Sequence, residues 1–76
     1  MQVTVYSTTR CPWCTRVKDF LKENKIAFKD VNVENNEKAA QEMMDKSGQM
    51  GVPVLDIDGT IIIGFNEPEI RKALKI

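Results

Sequence analysis

An α/β fold, one mixed four-stranded sheet covered by helices on both faces in the order β-α-β-α-β-β-α, is what three features of the sequence predict. Apolar residues alternate or cluster in short β-prone runs at four places. Between them lie segments whose apolar residues recur at three and four. Asp58-Gly59 joins the last two β-prone runs with the residue pair that best tolerates the positive φ of a tight hairpin. A chain of 76 residues has room for a single core, so residues 1–76 are expected to form one domain.

Val3, Val5 and Tyr6 are β-prone, and Ser7 to Arg10 form a polar stop, so the first strand is expected over residues 2–6. Cys14, Val17, Phe20 and Leu21 then mark one face of an amphipathic helix over 12–23, with Arg16, Lys18, Lys22 and Glu23 on the other. Pro12 suits its first turn, because proline lacks only an amide that has no partner there. Phe28, Val31 and Val33 predict a second strand within 27–33, which makes a βαβ unit and hence a parallel pair.

Asn36 is placed to cap a second helix over 36–47, whose apolar face is Ala39, Ala40, Met43 and Met44 and whose end is marked by Gly48. Val52–Ile57 and Thr60–Ile63 are the hairpin strands. Asn66 with Glu69 resembles a capping box ahead of Ile70, Ala73 and Leu74, the face of a third helix. The methionines at 43, 44 and 50 read as core filler.

Composition narrows the function. Eleven basic residues balance eleven acidic ones, so no net field draws nucleic acid or an anionic membrane. No apolar run approaches the roughly 20 residues that span a bilayer, and a signal-peptide pattern is lacking, so a cytoplasmic protein is expected; a monomer is expected as well. Two cysteines three apart do little for stability and look chemical. With no histidine and no second cysteine pair, one chain cannot complete a tetrahedral zinc site, and no bound metal or tightly held cofactor is expected. Two buried, inert thiols are the remaining bland alternative.

The chemistry lies in Cys11-Pro12-Trp13-Cys14. A sulfur at a helix start meets unpaired amides and the positive end of the helix dipole, which favour the thiolate. Such positions lower a cysteine pKa from about 8.5 into the range of roughly 3.5–7.5, so Cys11 is expected to attack disulfides. Cys14, one turn inside on the same face, is within disulfide reach and is expected to resolve the mixed disulfide.

These residues resemble the glutaredoxin family of the thioredoxin fold across nearly the whole chain, through V-T-V-Y-S-T-T-R-C-P-W-C, then G-V-P-V-L, then D-G-T-I-I-I-G-F. The resemblance implies a thiol–disulfide oxidoreductase, sheet order 2-1-3-4 and a cis peptide between Val52 and Pro53, against the alternative of a trans proline opening an edge strand. It implies that the Val52 main chain pairs with a bound peptide or glutathione.

After the fourth strand the chain departs from the glutathione-binding pattern: Gly64-Phe65-Asn66-Glu67-Pro68 has phenylalanine at the second glycine and a proline that removes an amide. That layout is similar to the glutaredoxin-like redoxins that serve ribonucleotide reductase and draw electrons from thioredoxin reductase, although Ile62-Ile63 stands where a Trp-Ser is frequent. Substrate contacts are thus expected from Arg10, Pro12, Trp13, Val52, Pro53, Gly64, Phe65 and Asn66.

For three of these residues alternatives stay open. Arg10 either steadies the thiolate or a substrate carboxylate, or is merely solvated. Trp13 either rests on substrate or packs on neighbouring loops, and Phe65 either touches a ligand or packs under the third helix.

The implied partners are disulfide-bearing proteins, with glutathione or thioredoxin reductase as electron source and glutathione as a candidate co-substrate. Two rival readings on the same fold are an iron–sulfur carrier and a non-catalytic interaction domain.

Overall fold

A computed structural model of the chain describes residues 2–76. Its elements are β1 (Val3–Ser7), α1 (Pro12–Glu23), β2 (Lys29–Asn32), α2 (Glu37–Ser47), β3 (Val54–Ile57), β4 (Thr60–Ile63) and α3 (Glu67–Leu74). The sheet runs β2-β1-β3-β4, with β1 and β2 parallel and the other pairs antiparallel. This is the thioredoxin-like fold.

The turn chemistry does what the sequence suggested. Asp58 and Gly59 both take positive φ (49° and 93°), which tightens the β3–β4 hairpin. Asn36 caps α2 by accepting from the Ala39 amide at 3.1 Å, and Gly48 ends that helix in the left-handed region at φ 74°. Strand limits differ by a few residues from expectation. β1 lies one residue later, over 3–7. β2 is confined to 29–32, because its register with β1 starts at Thr4 opposite Lys29. β3 starts at Val54, because Pro53 has no amide to give the ladder and its carbonyl accepts instead from the Gly64 amide at 2.8 Å.

Because successive strand side chains point to opposite faces, each face of the sheet has its own core. Val3, Val5, Leu55, Ile57 and Ile62 meet Val17, Phe20 and Leu21 of α1 and Ile70 and Leu74 of α3. Tyr6 and Val54 meet Met43 of α2 on the other side. The first cluster is much the larger and is where the stability resides; Leu21→Ala, at a site with no exposed surface, should cost about 2–5 kcal/mol. Among the described residues no helix is long and apolar enough to cross a membrane.

Candidate functional site

The C-terminal end of β1 delivers the chain, through Thr8 to Arg10, to the start of α1. Cys11 is the residue that caps this helix: its backbone is extended (φ −120°, ψ 102°) and its sulfur accepts from the Cys14 amide at 3.1 Å. Proline at 12 occupies the first helical position, where its missing amide has no partner to lose. Cys11 and Cys14 form a disulfide, with Cα atoms 5.1 Å apart, inside the range a disulfide accepts without backbone movement. Their surroundings differ. Cys11 is half-buried at the surface, whereas Cys14 is 1% exposed and belongs to the buried side of α1.

Trp13, between the two cysteines in the chain, lines an open cleft of about 280 Å³ together with Val52, Pro53, Gly64 and Phe65, and neither cysteine is part of that lining. The peptide between Val52 and Pro53 is cis. Gly64 has φ 79°, a conformation that glycine adopts without penalty, and its amide ties the end of β4 to Pro53. Among the described residues neither the amide nor the carbonyl of Val52 has a hydrogen-bond partner.

Five residues expected from the sequence therefore share one wall, though they come from three separate stretches of chain. The others are placed differently. Pro12 is exposed at the first position of α1, Arg10 is exposed in the preceding loop outside the cleft lining, and the Asn66 side chain is spent on capping α3, 3.4 Å from the Glu69 amide.

Three features escaped the sequence reading. Trp13, Phe65 and Phe20 form an aromatic row, with ring centroids 6.5 and 5.8 Å apart, so Phe65 both packs on the α1 core and lines the cleft. Trp13 is 55% exposed and carries the Arg16 guanidinium 4.8 Å from its ring; the spacing of three on one helix was the available signal. Met50 (57%) and Ile63 (52%) are exposed as well, so Met50 is not core filler.

Across the sheet sits a polar cluster. Lys46 Nζ donates to Asp56 Oδ2 at 2.8 Å and Tyr6 Oη at 3.0 Å and lies 3.3 Å from Glu42 Oε1, to which Tyr6 donates at 2.9 Å. The hydrogen bond to Asp56, then that to Tyr6, raises the Lys46 pKa above its ordinary value against the opposing effect of burial. Asp56 is held below the usual carboxylate range chiefly by Lys46, and Glu42 by Tyr6 and then Lys46. Burial pushes Tyr6 up. Beside α1, Ser7, 1% exposed, donates to Asp30 Oδ1 at 2.9 Å and Lys18 meets Asp30 Oδ2 at 2.8 Å. Burial raises the Asp30 pKa, but these two bonds outweigh it and the net shift is downward. Among the described residues no group of three or more metal-ligating side chains occurs.

Residues 3–62 match the glutaredoxin family. The chain is 49% identical over 73 residues to a glutaredoxin-like 8.6 kDa protein of the rubredoxin operon of Clostridium pasteurianum, covering 96% of this chain and 97% of that one. It is 33% identical over 70 residues to the glutaredoxin-like protein NrdH of Lactococcus lactis, covering 92% and 96%. The crystal structure of the glutaredoxin from Archaeoglobus fulgidus superposes with a TM-score of 0.90 at 25% identity, over 99% of this chain and 87% of that one. With its cysteine pair opening α1 of a thioredoxin-like sheet, this chain belongs to the glutaredoxin family and is a thiol–disulfide oxidoreductase.

Proposed function

We propose that the protein is a dithiol reductant of protein disulfides in which Cys11 is the nucleophile and Cys14 the resolving thiol. The observation that carries this reading is the asymmetry at the helix start: the half-buried Cys11 sulfur is the cap that accepts the Cys14 amide, whereas the Cys14 sulfur is buried one turn inside. A donor held at 3.1 Å and the helix dipole both favour negative charge on Cys11.

In the first step the Cys11 thiolate attacks one sulfur of the substrate disulfide. A mixed disulfide forms, and the other substrate sulfur leaves as a thiolate that takes up a proton. Cys14, having lost its proton, then attacks the Cys11 sulfur and expels the second substrate thiolate. Two electrons pass to the substrate and the Cys11–Cys14 disulfide remains, the state seen here.

The cleft supplies binding. The unpaired main chain of Val52 is suited to strand-like pairing with an extended substrate, and Trp13 and Phe65 offer apolar surface next to it. With Phe65 at 65 and a proline at 68, and with Asn66 spent on capping α3, the γ-glutamyl end of glutathione finds few donors. Thioredoxin reductase, rather than glutathione, is therefore the proposed electron source, ribonucleotide reductase a proposed acceptor, and the cytoplasm the proposed site of action. Glutathione mixed disulfides are secondary substrates.

Trapping tests the assignment of roles. Cys14→Ser should accumulate a covalent adduct with a protein disulfide and Cys11→Ser should not, whereas adducts on Cys11→Ser alone would reverse the roles. Steady turnover by glutathione with glutathione reductase, and none by NADPH with thioredoxin reductase, would defeat the proposed electron source.

A further inference from the structure

We propose that Gln49 is a positioning residue for substrate binding, holding the loop main chain at Val52 in shape through a side-chain clamp on Gly51; the inference rests on the disulfide-reductase reading above. Between the end of α2 and Pro53 the chain crosses five residues, 48–52, with no regular secondary structure, and a backbone of that kind needs other partners for its polar groups. It finds them in its own side chains.

The Gln49 carboxamide takes both groups of one residue: Oε1 accepts from the Gly51 amide at 2.6 Å and Nε2 donates to the Gly51 carbonyl at 2.9 Å. Ser47 anchors the other end, with Oγ 2.7 Å from the Met43 carbonyl and 2.9 Å from the Gln49 carbonyl. A carboxamide presents a donor and an acceptor side by side, as a neighbouring strand would, so Gln49 occupies the pairing groups of Gly51 and leaves those of Val52, the next residue, open.

Residue 51 has to be small for this to work. A Cβ there would come within 2.7 Å of Gln49 Oε1, and no left-handed backbone accounts for the glycine. Any side chain at 51 would push out the tip of Gln49.

Two different substitutions should therefore give one phenotype. The probes are a peptide closed by an internal disulfide, which has backbone groups to pair with Val52, and hydroxyethyl disulfide, which has none. Gln49→Ala and Gly51→Ala should each raise KM for the peptide on the order of tenfold with kcat unchanged. Neither should alter turnover of hydroxyethyl disulfide or the rate of Cys11 alkylation at pH 6. The double variant should be no worse than either single one, since both remove the same clamp.

Native peptide KM in the single variants would overturn the inference, as would equal losses on the two disulfides, which would mean a general loosening of the fold, or fully additive effects in the double variant. If the unaltered protein reduces neither disulfide, the reductase reading falls and this inference with it, a result distinct from selective failure at Gln49.

Discussion

The two faces of the sheet carry the two largest contrasts in the molecule. On the α2 face an open cleft of about 600 Å³ is bordered by Thr4, Tyr6, Lys29, Glu42, Lys46 and Asp56. It is more than twice the volume of the cleft lined by Trp13. Yet four of its polar side chains satisfy one another: Lys46 alone reaches Tyr6, Glu42 and Asp56. The smaller cleft leaves a main chain unpaired at Val52 and an indole more than half exposed. Volume identifies where the chain did not fill space; unmet hydrogen bonds and exposed aromatic surface, here at Val52 and Trp13, mark the candidate binding site.

The comparison makes the two regions separable by mutation. The largest effect is expected from Cys11→Ser, which should reduce disulfide turnover by at least about a thousandfold, as loss of a nucleophile does, while Lys46→Met leaves turnover within about twofold. A comparable loss of turnover in Lys46→Met, in folded protein, would show that the polar cluster acts on the site after all.

Next comes Trp13→Ala, which should raise KM for a peptide disulfide roughly tenfold, since a partly exposed aromatic contributes on the order of 1 kcal/mol to a contact, with Tyr6→Phe unchanged in the same assay. Stability should show the reverse pattern. Lys46→Met should lower Tm by about 4–8 °C, the shift that roughly 1 kcal/mol produces in a domain of this size, and Trp13→Ala by less, as read by calorimetry.

The smallest effect is the pH dependence. Asp56, Glu42 and Asp30 have pKa values below the ordinary range in the folded state. Their contribution is thus complete above the unfolded values near 4 and is lost as pH falls through the lower folded ones. Lys46, raised by its partners, contributes below about 10.5 and loses that contribution at still higher pH. The Tm gap between the unaltered protein and Lys46→Met should therefore be widest near pH 7 and narrow below about pH 3. A gap that stays constant down to pH 2 would show that packing of the lysine stem, not charge, sets it.

The chemistry was readable from local sequence because its causes are local. Pro12 at a first helical turn, Cys11 before it and Cys14 three residues on require only the geometry of one helix. Asp58-Gly59, Asn36 and Gly48 likewise act within a few residues. The Glu42–Lys46 pair carries a signal in its spacing of one turn that the sequence reading did not use, and Tyr6 and Asp56, which complete the cluster, come from β1 and β3. Met50 was misread for the same reason: methionine suits a core, and only the path of the loop decides whether a core is there.

From sequence alone, then, come the order of elements, the helix-opening cysteine pair and the turns, since each depends on backbone preferences and hydrogen bonds that span a handful of residues. Tertiary structure alone decides that Trp13, Val52 and Phe65 meet across one cleft and that Tyr6 and Asp56 reach Lys46 from other elements. Those outcomes follow from strand register and the packing of helices on the sheet, which set contacts between residues tens of positions apart and leave no mark in any short window of the chain.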